Sequence, residues 1–250
     1  MITTHRVNYS GKGIEFYLEY KDIKNFNLRI KPDMSINVSA PLDAEIKRVY
    51  DFVSSKGNWI FKQLKTFQET KSEEKVKREF VSGETVKYLG KQYRLKVIPN
   101  ETNESIKISD KYIIIETKKS SKIAHRRILF DKWIRQQAKD IFVNCLDNVY
   151  PLISKEVVIK PNLEFKQMSK RWGSSLRRKN VILLNLELIK APKHCIEYVV
   201  LHELIHFVYK NHNWLFYDKL TVLMPDWKQR KEILDEEIVL FVWCFRNKVV

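Results

Sequence analysis

Residues Cys195 to Tyr209 read CIEYVVLHELIHFVY, apolar nearly all round. A surface helix shows a single apolar stripe, so this segment predicts a helix buried within its domain. Inside it stand His202, Glu203 and His206, as HELIH. Two histidines four apart share one helix face, about 40° out of register and roughly 6 Å apart along the axis, so both rings can reach one cation. Glu203 points away from that shared position, with its carboxylate in reach of a water on the cation. Neutral imidazoles hold the metal, the metal acidifies water and the carboxylate takes the proton, which is what a zinc hydrolase needs. Burying these groups without partners costs several kcal/mol, and a bound cation is the simplest compensation. Histidines hydrogen-bonded inside a core are the plainer alternative.

A third ligand follows from geometry. On an unbroken helix His212 would lie about 9 Å beyond His206 and on another face. To share the metal, the chain must turn after about Tyr209. Lys210-Asn211-His212-Asn213 can make that turn, because Asn tolerates the left-handed conformation that ends helices. Metzincins place their third histidine at the same spacing but turn on a glycine, where this chain has Tyr209.

The 250-residue chain can bury a sizeable core, and its 46 Lys and Arg against 30 Asp and Glu leave a net charge of +16, spread over its whole length. Such a surface is either plainly solvated or attractive to nucleic acid and acidic proteins. Cys145, Cys195 and Cys244 are odd in number, far apart and in apolar settings, which fits core residues and not a disulfide framework or thiolate metal site. The first twenty residues show no apolar signal region, and the longest apolar run, Ile238 to Phe245, is too short to span a bilayer. A cytoplasmic protein without a membrane partner is expected.

From the start, alternation predicts strands at Ile14–Tyr20, Asn25–Ile30 and Ser35–Ser39, the last two joined by Lys31-Pro32-Asp33-Met34. Asp43 is the expected cap of a helix over Ala44–Thr70, which Gly57 interrupts. Lys71 to Glu79 reads as a charged, solvated stretch. Strands follow at Thr85–Leu89 and Gln92–Ile98 around Gly90-Lys91, and at Ser105–Ser109 and Tyr112–Thr117 around Asp110-Lys111. A long amphipathic helix is expected over Ser121–Val149, strands over Val157–Met168 and Val181–Asn185, and a last helix over Lys228–Phe245. Between Lys166 and Lys179 lie six positive and no negative residues. That segment is either a solvated hairpin tip or a substrate-facing one, with Trp172, Gly173 and Ser174 holding an extended substrate by edge pairing.

The segments SKRWGSS (169–175), ILLNLELIKAP (182–192), YVVLHELIHF (198–207), KNH (210–212) and MPDW (224–227) together resemble the YgjP-like metallopeptidase family. LRIKPDMSINVSAP (28–41) and VSGETVKYLGKQYRLKV (81–97) extend the resemblance over nearly the whole chain. It implies a zincin core of the kind shared with SprT-like proteins, with His202, His206 and His212 as zinc ligands and Glu203 as general base. Family members commonly carry Cys where this chain has Ser175, a position that is not a ligand in the family.

The expectation is an α+β fold, with a β-rich part holding one long helix over 1–119 and a zincin-like core carrying the HExxH helix over 120–250. The function expected is a zinc-dependent peptidase acting on proteins or peptides, with Tyr217 a candidate for stabilising the oxyanion. Two alternatives stand beside it. One is a zinc-dependent nucleotide pyrophosphatase. The other is a nucleic-acid-associated protein, either a protease of DNA-bound proteins or a binding module with a structural zinc.

Overall fold

The computed structural model describes residues 2–31, 33–74, 78–118, 122–169, 171–237 and 243–246. In chain order, the first elements are β1 (Ile2–Tyr9), β2 (Lys12–Lys21), β3 (Asn27–Ile30), β4 (Ile36–Pro41), α1 (Ile46–Ser55) and α2 (Gly57–Glu74). There follow β5 (Thr85–Tyr88), β6 (Lys91–Pro99), β7 (Ser105–Ser109), β8 (Tyr112–Thr117) and α3 (Ile123–Val149). The last are β9 (Asn162–Lys166), β10 (Gly173–Leu176), β11 (Val181–Asn185), α4 (Lys193–Val208), α5 (Trp214–Leu223), α6 (Trp227–Glu237) and β12 (Trp243–Arg246). The protein is α+β, as expected. It divides into two compact units, Met1–Lys77 with Val239–Val250, and Arg78–Ile238.

The first unit is built on a five-stranded sheet in the order β1-β2-β4-β3-β12. Ile14, Phe16 and Leu18 on β2 and Ile36, Val38 and Ala40 on β4 alternate inward at the strand period of two. They meet Val49, Phe52 and Val53 of α1 and Ile60 of α2 in one apolar core. β1 was not foreseen: as an edge strand it carries Thr4, Arg6 and Asn8 among its residues, with none fully buried. It joins β2 through Ser10 and Gly11, both left-handed at φ 49° and 76°, as a two-residue hairpin turn requires.

The expected helix over 44–70 is two helices, with Glu45 instead of Asp43 at the N-cap position, its side chain making no capping hydrogen bond, and with the break before Gly57. A Cβ on Gly57 would lie 2.3–2.5 Å from ring atoms of Tyr9, so only glycine fits where the second helix begins. Pro32 in the expected turn, residues 75–77 of the charged stretch, and Ser121 and Lys170 lie outside the described residues. The expected last helix also differs. α6 ends at Glu237, residues 238–242 lie outside the described residues, and 243–246 form β12, antiparallel to β3.

The second unit begins at residue 78, well before the boundary expected near residue 120. That expectation followed the end of the strand-rich region, but burial groups the residues differently. Val86, Tyr88, Leu95, Ile113 and Ile115 of β5–β8 share one apolar cluster with Phe130 and Phe142 of α3 and with most of α4. A four-stranded sheet, β5-β6-β8-β7, and a three-stranded one, β10-β11-β9, both contribute to this core. β11, VILLN, is buried at every position, as befits a central strand covered on both faces. The expected strand over 157–168 shrinks to β9. The Tyr150 hydroxyl lies 2.8 Å from the Val157 carbonyl and 3.0 Å from that of Val158, which ties the start of that segment down outside the sheet.

The approach to α4 is held from the β5–β6 turn, where Leu89 and Gly90 take positive φ. Their N–H groups donate to Ile189 O and Lys190 O, each at 2.9 Å. Among the described residues no helix is long and apolar enough to cross a membrane.

Candidate metal centre

α4 runs to Val208 and stops because Tyr209 is extended, at φ −113° and ψ 114°. The expected turn after Tyr209 is present, but it uses neither Asn211 nor Asn213 in a left-handed conformation. Instead Asn213 caps α5, its side-chain oxygen accepting from Phe216 N at 3.0 Å. The reversal brings His212 back onto α4. Its Nε2 lies 2.8 Å from Nε2 of His202 and 3.1 Å from Nε2 of His206.

Three imidazole nitrogens facing one another at these distances cannot all be satisfied by hydrogen bonds among themselves. Each neutral ring has one N–H to give, and His206 gives its own from Nδ1 to the Tyr209 carbonyl at 3.0 Å, leaving a bare lone pair on Nε2. His202 Nδ1 is buried with no hydrogen-bond partner among the described residues. Burial, and next the neighbouring His212 and His206, hold the His202 ring well below its ordinary pKa. Burial likewise depresses His206. Imidazole nitrogens brought together in this way form a donor set that a divalent cation fits, and the ligand atoms of His202, His206 and His212 all lie within 4.8 Å of one another. The fully buried Phe216 forms their floor, its ring 4.9, 4.7 and 4.7 Å from the centroids of His202, His206 and His212.

Glu203 is buried, at 6% exposure, and desolvation pushes its carboxyl up to about 7, against the lowering effects of Ser175 and Arg171. It lies under β10. A Cβ on Gly173 would stand 2.8 Å from Glu203 Cγ and 2.8 Å from Oε1, so this strand can pass over the helix only with glycine there. Two residues on, Ser175 Oγ lies 2.6 Å from Glu203 Oε2.

β10 is an edge strand, paired antiparallel to β11 alone among the described residues. Trp172 O accepts from Asn185 N at 2.7 Å. Because such pairs alternate along an antiparallel ladder, Ser174 also faces β11, while Gly173 and Ser175 turn their N–H and C=O groups to the open edge. Of the three residues expected to hold substrate, Gly173 therefore offers backbone to that edge. The Trp172 side chain packs against the core, and Ser174 Oγ accepts a long bond from Arg171 Nη1 at 3.5 Å. Tyr217 stacks on His212 at 6.0 Å and on Trp227 at 5.5 Å, which makes it a wall of the site.

From the sequence no role was assigned to Ser175, noted only as standing where the family commonly has Cys, or to Phe216 or Asn185. Asn185, fully buried, donates from Nδ2 to Met168 O (2.8 Å) and Arg171 O (3.1 Å) and accepts at Oδ1 from Met168 N (3.1 Å) and Glu187 N (3.2 Å). It holds the basic loop that delivers β10. Its place at the end of an apolar strand was the one signal available.

The family model described as YgjP-like, metallopeptidase domain matches residues 24–237. Among solved structures, the chain is similar to the metallopeptidase zymogen of Pyrococcus abyssi abylysin, at 16% identity and TM-score 0.33, over 38% of this chain and 89% of that one. It is also similar to the metallopeptidase zymogen of Methanocaldococcus jannaschii jannalysin, at 26% identity and TM-score 0.32, over 40% of this chain and 97% of that one. No curated protein matches. With the family's domain spanning most of its length, the chain belongs to the YgjP-like metallopeptidases and is an enzyme of the metal-dependent hydrolase type.

Proposed function

We propose that this metallopeptidase uses zinc, held by His202, His206 and His212, with Glu203 as its general base. The observation that carries this reading is the convergence of three imidazole Nε2 atoms beside a buried carboxyl raised to about 7. Three imidazole nitrogen donors match the ligand type and number that catalytic zinc sites use. Zinc bound there supplies Lewis acidity toward a carbonyl oxygen and makes water a better acid. Glu203 takes the proton from water and hands it to the leaving amine, a task suited to a group poised near neutral pH.

Substrate is an extended protein or peptide segment laid along the open edge of β10, where the backbone of Gly173 and Ser175 would pair with it, flanked by Trp172 and Ser174. The exposed Arg171 and Arg177 at the two ends of that strand favour acidic side chains. A cytoplasmic location belongs to the same reading, with the Cys145 thiol buried in the core.

The test is elemental analysis of wild type and His212→Ala, with peptide cleavage by wild type and Glu203→Gln. About one zinc per chain in wild type, lost in His212→Ala, with cleavage abolished in Glu203→Gln, is expected. Pyrophosphate release from nucleoside triphosphates without peptide cleavage would overturn it.

A further inference from the structure

Ser175 stands on β10, against Glu203 of α4. Its Oγ lies 2.6 Å from Glu203 Oε2 and 2.8 Å from the backbone carbonyl of the same residue. A hydroxyl carries one proton and can donate to only one of these at a time. The shorter contact has the length of a bond to a charged carboxylate, so the ionised Glu203 receives it. When the carboxyl holds a proton, it can donate to Ser175 Oγ while the hydroxyl turns to the Glu203 carbonyl. Oε2 is thus engaged either way. Oε1 has a different neighbour, the bare Cα of Gly173, where even a methyl group would stand at 2.8 Å. Gly173 and Ser175 are two apart on one strand, so one face of β10 supplies both the space and the hydroxyl.

We infer that Ser175 is a positioning residue for hydrolysis: it ties up Oε2 of Glu203 and so makes Oε1 the atom that accepts the proton from water. This rests on the reading of Glu203 as general base. The hydroxyl reaches neither substrate nor metal ligand in this role and acts through the carboxyl alone.

The test compares Ser175→Ala, Ser175→Cys and Ser175→Thr with wild type on an uncharged peptide, following kcat, KM, zinc content and Tm. Ser175→Ala should lower kcat about ten- to a hundredfold, the worth of a hydrogen bond to a charged group, with KM and zinc content within about twofold. Ser175→Thr, which keeps the hydroxyl, should recover most of kcat, and Ser175→Cys, a weaker donor, should fall between. A merely structural bond between β10 and α4 would move Tm and KM, and kcat would not follow donor strength. Full kcat in Ser175→Ala, or a loss confined to KM or zinc content, overturns the inference. Glu203→Gln is measured alongside: if it stays active the general-base reading fails, and if it is inactive while Ser175→Ala is unimpaired, only the role of Ser175 fails.

Discussion

Two polar clusters of the second unit, one at the end of β11 and one at the end of α4, are built in opposite ways. Asn185, at the end of β11, has every amide donor and acceptor matched by a backbone partner. The histidine cluster of α4 and the segment after it leaves His202 Nδ1 without a partner among the described residues and sets three Nε2 atoms against one another. Burial makes an unmatched polar group costly, so the first cluster is complete as it stands, while the second turns three Nε2 atoms toward one another where the proposed reading puts a cation. The first cluster shapes the loop; the second gathers the three nitrogens that the proposed zinc would use.

This contrast can be broken at either end. The largest effect is expected at Glu203. Glu203→Gln should lower kcat/KM about a thousandfold on a peptide substrate while Tm stays level or rises, because an amide keeps a contact with Ser175 and need not ionise in a buried site. A variant that loses stability together with activity would assign Glu203 to the fold. His212→Ala comes next and should weaken zinc binding by more than about a hundredfold in a competition titration, beyond what changes behind the ligands cost. Added zinc should raise Tm in wild type and not in this variant.

Asn185→Ala should show the reverse signature. Stranding the groups it now satisfies should cost about 3 kcal/mol in denaturant unfolding, with zinc stoichiometry kept. An unchanged unfolding midpoint would end the comparison. The smallest effect is expected at Gly173→Ala, whose new methyl would meet Glu203 Cγ and Oε1 at 2.8 Å. The strand or the carboxylate must shift, at about 1–3 kcal/mol, and kcat should fall about tenfold with zinc content unchanged. Wild-type kcat in that variant would show that the carboxylate has room to spare.

The clustering of the three histidines was legible because most of its information is local. Four-residue spacing on a buried helix puts His202 and His206 together, and the need to turn after Tyr209 follows from helix geometry alone. How the turn is made was not legible. Tyr209 is extended, its carbonyl accepts from His206 Nδ1, and Asn213 caps the next helix. Similarly, Gly57 marked a break in the first long helix, but what keeps a side chain out of that position is the Tyr9 ring, 48 residues earlier. β1 was hard to read as a strand because the residues it turns inward, His5, Val7 and Tyr9, are only partly buried at the sheet edge, so its alternation is weak.

By itself, then, the sequence determined the α+β class, the buried HELIH helix, the third histidine and the general alternation of the strands. These depend on periodicities of two and 3.6 and on ligand chemistry, all of which act over a few residues. Tertiary structure alone decided where the chain divides, why Phe216 must lie beneath three imidazoles, and that Ser175 and Gly173 close on the two oxygens of a glutamate about thirty residues away. Such contacts are set by how one strand crosses one helix, and no local pattern encodes that crossing.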